Sequence, residues 1–449
     1  MKSRTKDIIY LSDHFSYSRL LRFSLPSMVM MVFTSIYGVI DGLFVSNFVG
    51  KTPFAAINFI FPVIMILGAV GFMLGTGGTA LIAKTLGERK PELANEYFSL
   101  ITYTSLVSGV IIAGIGIAFV EPVAILMGAE GEMLDCAVLY TRVVLLGLPF
   151  FMLQNAFQTF FITAEKPKLG LAVTVAAGLT NIVLDALFVA AFRWGLVGAA
   201  AATAMSQLVG GAIPLFYFGR KNTSLLRLGK TRFYGRALLK VCTNGSSELM
   251  SNISSSIVTL LYNGQLLRYA GEDGIAAYGV IMYLSFVFVS IFIGYVIGTA
   301  PIVGYHFGAD NRPELKSIFK KSTILMSVGG AVMMTLAIAF STPLSLVFVG
   351  YDDALCELTR RGLIIYSIHF ILAGFNIFGS SFFTALNNGV ISAVISFLRT
   401  LVFQCASVIV LPMLVGIDGI WYSVITAELL SFIVTLAFVI LKRKKYGYL

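Results

Sequence analysis

The sequence predicts an all-α polytopic membrane protein with twelve transmembrane helices in two parallel six-helix repeats. Three observations carry that reading. Of the 449 residues, 57% are hydrophobic and only 12% are charged, whereas soluble proteins carry roughly 25% charged residues. Apolar runs long enough to span a bilayer, about 20 residues each, occur twelve times. Short signatures also recur in the same order at an offset near 221 residues.

The apolar runs fall at 20–46, 54–83, 97–120, 136–162, 169–192, 196–218, 238–267, 275–304, 318–340, 358–384, 390–413 and 418–441, with short polar loops between them. Lipid offers the backbone no hydrogen bonds, so runs of this length are helices; the alternating pattern of a membrane barrel is absent. Several runs exceed what a bilayer needs, which implies tilt or extension beyond it. The first 20 residues are polar and basic, without a hydrophobic core or a cleavage site. They read as a cytoplasmic segment and not as a signal peptide.

Lysine and arginine set the orientation. With the N-terminus inside, 25 of them fall on the cytoplasmic side, from Lys2, Arg4 and Lys6 to the tail Lys442 to Lys445. Five fall outside: Lys51, Arg193, Arg268, Arg360 and Arg361. Arg142 and Arg399 lie within spans. That asymmetry places both termini in the cytoplasm.

The repeat reaches from end to end. Thr52 to Ala56 matches Asp273 to Ala277, and Gly71 to Thr76 (GFMLGT) matches Gly294 to Thr299 (GYVIGT). Pro91-Glu92-Leu93 recurs as Pro313-Glu314-Leu315, and Thr163-Ala164 as Thr384-Ala385. Each half holds an even number of spans, so both enter the membrane from the same side, as parallel repeats do. The expected organisation is a first lobe at 1–218, a basic cytoplasmic linker at 219–237 and a second lobe at 238–449.

Composition excludes other classes. The net charge of +10 is no argument for nucleic acid, because membrane proteins place Lys and Arg in cytoplasmic loops. Cys136, Cys242, Cys356 and Cys405 form no CxxC pair and no metal spacing. There is no GxxxxGK[ST], so no ATP is implied. The histidines His14, His306 and His369 are scattered, and no nucleophile or metal cluster suggests an enzyme. No cofactor and no obligate protein partner are expected; the partners are membrane lipids and a small organic substrate.

The candidate chemistry lies in two intramembrane acids. A lone carboxylate deep in an apolar span costs ~2.5–3.5 kcal/mol on insertion scales and is read first as functional. Asp41 sits in the first run, with Tyr37 one turn before it and Pro26 four turns before. Asp185 sits in the fifth run, with Asn181 at i−4 on the same face. Two carboxylates, an amide and hydroxyls suit a hard cation such as Na+. They suit a proton equally, because burial and a like-charged neighbour both disfavour ionisation. At the repeat offset Asp41 faces Tyr262 and Asp185 faces Ala406, so only the first half holds the acids. Pro26 removes one helical hydrogen bond and allows a kink, static or mobile. Met31, with Met28 and Met30, offers either an adaptable drug surface or ordinary core and lipid packing.

These residues together resemble the multidrug and toxic compound extrusion (MATE) family, over nearly the whole chain. The resemblance rests on Leu25-Pro26, Tyr37 with Asp41, Gly75-Thr76-Gly77-Gly78, Asn181 with Asp185, the loop Gly87 to Glu92 and Thr163 to Pro167. The second half, from Gly245-Ser246-Ser247, resembles the branch that contains the staphylococcal MepA pumps. The resemblance implies a V-shaped, two-lobed secondary antiporter that exports amphipathic, mostly cationic organic compounds in exchange for H+ or Na+. It implies Thr203 as a further hydroxyl at the ion site, and polar roles for Tyr140 and Asn155 near the site or cavity. It also implies bending of the first helix at Pro26. Some members carry an acidic cation site in the second lobe, where this chain offers Glu248, His369, Arg399 and Glu428. The alternative reading is a flippase for lipid-linked sugars or lipids of the same superfamily; a channel is the third class.

Overall fold

The computed structural model describes residues 9–449. Lys2, Arg4 and Lys6, counted above for orientation, lie outside the described residues, as does the side chain of Lys51. The first half comprises α1 (Tyr17–Phe48), α2 (Lys51–Gly87), α3 (Pro91–Leu126), α4 (Gly131–Thr163), α5 (Pro167–Asp185) and α6 (Gly195–Gly219), with a π-helical turn, Ala186–Ala191, after α5. The second half comprises α7 (Gly235–Gly308), α8 (Arg312–Ala339), α9 (Ser341–Val349), α10 (Asp353–Ser367), α11 (Phe370–Ala385), α12 (Gly389–Phe397), α13 (Gln404–Val415) and α14 (Ile417–Tyr446). A second π-helical turn, Leu398–Phe403, joins α12 to α13.

Helix ends show why the chain turns where it does, and they repeat. α3, α5 and α8 each have a proline in the first turn, where its missing N–H costs nothing. Arg89 and Asp310, 221 residues apart, both take left-handed backbone, φ 60° and 50°, between a long helix and the next proline-started one. Glu165 and Asn387 do the same after α4 and α11, at φ 59° and 57°. The repeat is therefore present in backbone conformation as well as in residue identity.

Among the described residues ten helices are long and apolar enough to cross a membrane, and α10 with α11, bent by 47° at their junction, makes an eleventh if the pair is one span. The expected twelfth is the first arm of α7. That helix has 74 residues and is broken at Gly271, whose φ of 61° and ψ of −148° suit glycine. The arm before the break has the length, but Asn244, Ser246, Ser247, Glu248, Ser251, Asn252 and Ser254 to Ser256 make it polar. α9 is a short helix that the hydropathy pattern does not show. The linker after α6 lies along α3, where Asn95 Oδ1 accepts from Arg227 N (2.7 Å) and Ser99 Oγ accepts from Gly229 N (3.0 Å).

The halves meet at the end that carries the basic loops. A Cβ at Gly87 would lie 2.0 Å from the carbonyl oxygen of Tyr305, and one at Gly308 would lie 2.0 Å from that of Lys84. These two contacts are equivalent under the 221-residue offset, so α2 and the second arm of α7 cross backbone to backbone about the repeat axis. The segment before α1 adds to the same end. Glu165, of the first half, accepts from Leu11 N (2.6 Å), and Glu314, of the second, accepts from Phe15 N (2.8 Å). Backbone contact between the halves extends to Gly245, whose Cβ would lie 1.9 Å from the Met73 carbonyl oxygen, and to Gly294, 2.4 Å from the Met28 Cα. Beyond these, a Cβ at Gly38 of α1 or at Gly264 or Gly279 of α7 would have no neighbour within 4 Å.

This gives a stability contrast. Gly87→Ala forces a methyl into a peptide carbonyl and is expected to cost ~1–3 kcal/mol, as overpacking does. Gly38→Ala meets open space and is expected to be neutral or to gain up to ~1 kcal/mol from helix propensity. Thermal unfolding of both variants in detergent checks the order; equal shifts would show that the Gly87 crossing does not hold the halves together.

Candidate functional site: a buried acid cluster in the first half

α5 approaches α1 at Gly178, where an added Cβ would lie 2.5 Å from the Phe33 ring and 3.0 Å from the Tyr37 ring. Gly178, Asn181 and Asp185 are spaced i, i+3, i+7, one stripe of a helix. Closing the helices at Gly178 therefore carries Asn181 and Asp185 onto the α1 face that bears Tyr37 and Asp41. The carboxyl groups of Asp41 and Asp185 lie against each other. Tyr37 borders Asp41, and Tyr140 of α4 borders both acids and Thr203 of α6. Four helices thus deliver Tyr37, Asp41, Tyr140, Asn181, Asp185 and Thr203 to one place. Asp185 is fully buried, whereas Asp41 keeps part of its surface accessible.

The cluster lacks hydrogen on its oxygens. Asp41 Oδ1, both Asp185 oxygens, Asn181 Oδ1 and Thr203 Oγ1 are buried without a hydrogen-bond partner. Buried polar atoms are normally paired, and a buried carboxylate without a partner is strongly penalised. No Lys, Arg or His forms an ion pair with either acid among the described residues. What relieves this arrangement is a bound proton, shared by the pair, or a small cation held by oxygen atoms alone. No group of three His, Cys, Asp or Glu suited to a metal ion occurs among the described residues. The oxygen set matches hard-cation chemistry, not the nitrogen and sulfur sites of transition metals.

Other expected residues fall elsewhere. Asn155 is buried in α4 with its Nδ2 unpaired, but it lies 15 residues from Tyr140, about 22 Å along the helix, and shares none of the acids' contacts. α1 runs unbroken through Pro26. Met30 is 1% exposed, and Met28 is pinned by Gly294 of the second half, whose Cβ would lie 2.4 Å from the Met28 Cα. Met28 and Met31 both keep partial exposure. Arg142 lies within α4, one of the candidate spans. It is 47% exposed and pairs with Glu121 of α3 at 3.1 Å.

In the second half, Glu248, His369 and Arg399 do not form one site. Glu248 makes no side-chain hydrogen bond or ion pair among the described residues. Arg399, in the π-helical turn after α12, pairs with buried Glu428 of α14: Nε lies 2.9 Å and Nη2 2.7 Å from Glu428 Oε1. Asn376 donates from Nδ2 to Glu428 Oε2 at 2.6 Å. His369 is buried where α10 and α11 bend, with Nδ1 2.6 Å from the Tyr366 carbonyl oxygen. Gly178 was missed from sequence as a site residue; its i, i+3, i+7 relation to the acid was the available signal.

Removing Arg399 alone leaves a buried carboxylate unpaired. Arg399→Met is expected to cost ~3–5 kcal/mol, whereas the pair replaced together (R399M/E428L) is expected to be near neutral or stabilising by ~1–4 kcal/mol. Chemical unfolding in detergent measures both; equal losses would show that the two side chains do not depend on each other.

The MatE family model matches residues 26–187 and again 249–409, once in each half. The multidrug export protein MepA of Staphylococcus saprophyticus is 25% identical over 451 residues, which cover 98% of this chain and 97% of that protein. A solved structure described as the outward-facing conformation of a multidrug resistance MATE family transporter aligns with a TM-score of 0.92 at 23% identity, covering 99% of both chains. One described as MATE in the straight conformation aligns equally well, 0.92 at 22% identity over 99% of this chain and 100% of that one. With its family model matched twice across the two halves, the chain belongs to the MatE family of membrane transporters.

Proposed function

We propose that this transporter is a secondary active antiporter. It exports amphipathic, mostly cationic organic compounds in exchange for H+ or Na+, by alternating access, from a prokaryotic cell membrane with both termini in the cytoplasm. The lobes that rock are 1–218 and 238–449, joined by the basic linker 219–237. The observation that carries the reading is the proximity of Asp41 and Asp185, three of whose carboxyl oxygens are unpaired, with the unpaired oxygens of Asn181 and Thr203 beside them. The export of drugs by the MepA relatives supports the substrate class.

The residues act as follows. In the outward-facing state a proton or Na+ enters through Asp41 and is shared with Asp185. Asn181 and Thr203 supply further oxygens, and Tyr37 and Tyr140 wall the pair from lipid. Loading neutralises the first-half acids and lowers affinity for a bound organic cation, which leaves. Rocking carries the ion inward, where it exits, and cytoplasmic substrate resets the cycle. Coupling requires that ion and substrate have different affinities in the two facing states. Pro26 lies where α1 packs against the second half, since a Cβ at Gly298 would lie 2.7 Å from Ser27 Oγ. Motion of α1 at that point would connect the acid site to the interface. No ATP, cofactor or protein partner enters this cycle.

Transport of ethidium into proteoliposomes, with pH and Na+ gradients imposed separately, tests the proposal. One gradient is expected to drive uptake in the wild type. Asp41→Asn and Asp185→Asn are expected to reduce it ~10-fold or more with unfolding temperatures unchanged. Normal driven uptake in both variants would reject the acid site as the coupling site. No movement under either gradient would favour the flippase reading.

A further inference from the structure

The second half has no counterpart of Asp41 or Asp185, yet it keeps a buried charged centre in its corresponding span. Both halves carry a π-helical turn in that span, at positions that do not coincide under the repeat offset. A π-helical turn follows Asp185 at Ala186–Ala191, and another holds Arg399 at Leu398–Phe403. Such turns are rare and concentrate at functional sites. The repeat sets Asn376 opposite Asn155 and Glu428 opposite Gln207, so one amide of the first half has become a carboxylate in the second.

The centre is unevenly satisfied. Glu428 is 3% exposed on its side chain and Arg399 19%, so the open edge of the pair is its cationic one. Arg399 donates to Glu428 through Nε and Nη2. Its Nη1 makes no hydrogen bond among the described residues and is not enclosed. Asn376 is fully buried, and its Oδ1 has no partner. A purely structural pair would close its donors. Here a planar guanidinium that stays charged at any working pH presents two N–H groups outward. An oxyanion is the group that matches them. The pair is held in place by packing: Tyr366 borders both Arg399 and Glu428, and Tyr262, stacked on Tyr278 at 5.0 Å, donates to Gln404 Oε1 at 3.1 Å just beyond the π turn.

We propose that Arg399, backed by Glu428 and Asn376, is a second recognition site that takes a carboxylate on the transported molecule. The transporter then accepts zwitterions as well as plain cations, with the cationic group directed to the first-half acids and the carboxylate to Arg399. This rests on the transporter reading for the route of the molecule, but it is tested by binding alone. Glu428 neutralises the guanidinium when no carboxylate is present, so a plain cation meets no uncompensated positive charge there.

The probes are rhodamine 123, a methyl ester with one positive charge, and rhodamine 110, the same dye with a free carboxylate. Fluorescence anisotropy with the purified full-length protein in detergent reads both affinities without any gradient. The variant is R399Q/E428Q, which removes both charges together and leaves neither buried alone. The expected result is ~10-fold or more weaker binding of rhodamine 110, the scale of a lost charged hydrogen bond, with rhodamine 123 within about twofold of wild type. Arg399→Lys, which keeps the charge but loses the fork, is expected to fall between. Equal loss for both dyes, unchanged rhodamine 110 binding, or no binding of rhodamine 110 by the wild type would each overturn the proposal. If the binding contrast holds but neither dye is transported under an ion gradient, the antiport reading fails and the Arg399 site stands.

Discussion

Two carboxyl groups in contact inside an apolar helical bundle cannot both ionise without a positive partner. Around Asp41 and Asp185 stand oxygen-bearing side chains and tyrosines, and among the described residues no lysine or arginine pairs with either acid. In the proposed antiport the missing charge comes from outside as a proton or a small cation. The remaining architecture serves that demand. α5 closes on α1 at a glycine, α4 and α6 complete the wall, and the two halves touch backbone to backbone where Gly87 and Gly308 cross. The close approaches run on to Gly245 against Met73 and Gly294 against Met28, and beyond them the glycines at 38, 264 and 279 face open space.

The same six-helix plan carries opposite charge arrangements in its two copies. The first copy concentrates uncompensated acid. The second pairs its acid with Arg399 and turns the cationic edge outward. Each half has a π-helical turn in the corresponding span, but the two turns are out of register under the repeat offset, so the halves diverge in backbone as well as in side chains. A single-sign cavity would select for charge alone. Two walls of different sign select for the spacing of charges on a molecule, which is a finer filter for amphipathic compounds.

Much of this was legible in the chain. The apolar runs place eleven of the spans, and the repeat offset recurs in the left-handed residues Arg89 and Asp310. Asp41 and Asp185 stood out because carboxylates in apolar runs are costly, and their i−4 neighbours pointed to a shared face. What was not legible depends on distances between helices. Gly178 reads as any small residue until α1 is seen against it. Met28 looks like part of a flexible surface until Gly294 of the second half is seen against its backbone. Arg142 falls inside an apolar run, yet its side chain reaches Glu121 at the surface. The run at 238–267 was read as an apolar span, but the first arm of α7 is too polar to count among the spans. Arg399 and Glu428 were both visible as intramembrane charges, and the fold shows that they pair with each other.

The central claim is that the acid pair holds the coupling ion and that this ion opposes substrate. Reciprocity makes the claim measurable at equilibrium: if the ion weakens substrate binding, substrate must displace the ion by the same factor. The direct measurement is the ethidium Kd of the purified protein, titrated separately over pH and over Na+ concentration, in wild type and in the double variant Asp41→Asn/Asp185→Asn. The account predicts that one ion weakens wild-type binding by up to about tenfold per tenfold rise in its concentration, the limit for one competing site, and that the double variant is flat for both ions. A wild type indifferent to both, or a double variant with the wild-type dependence, would contradict it.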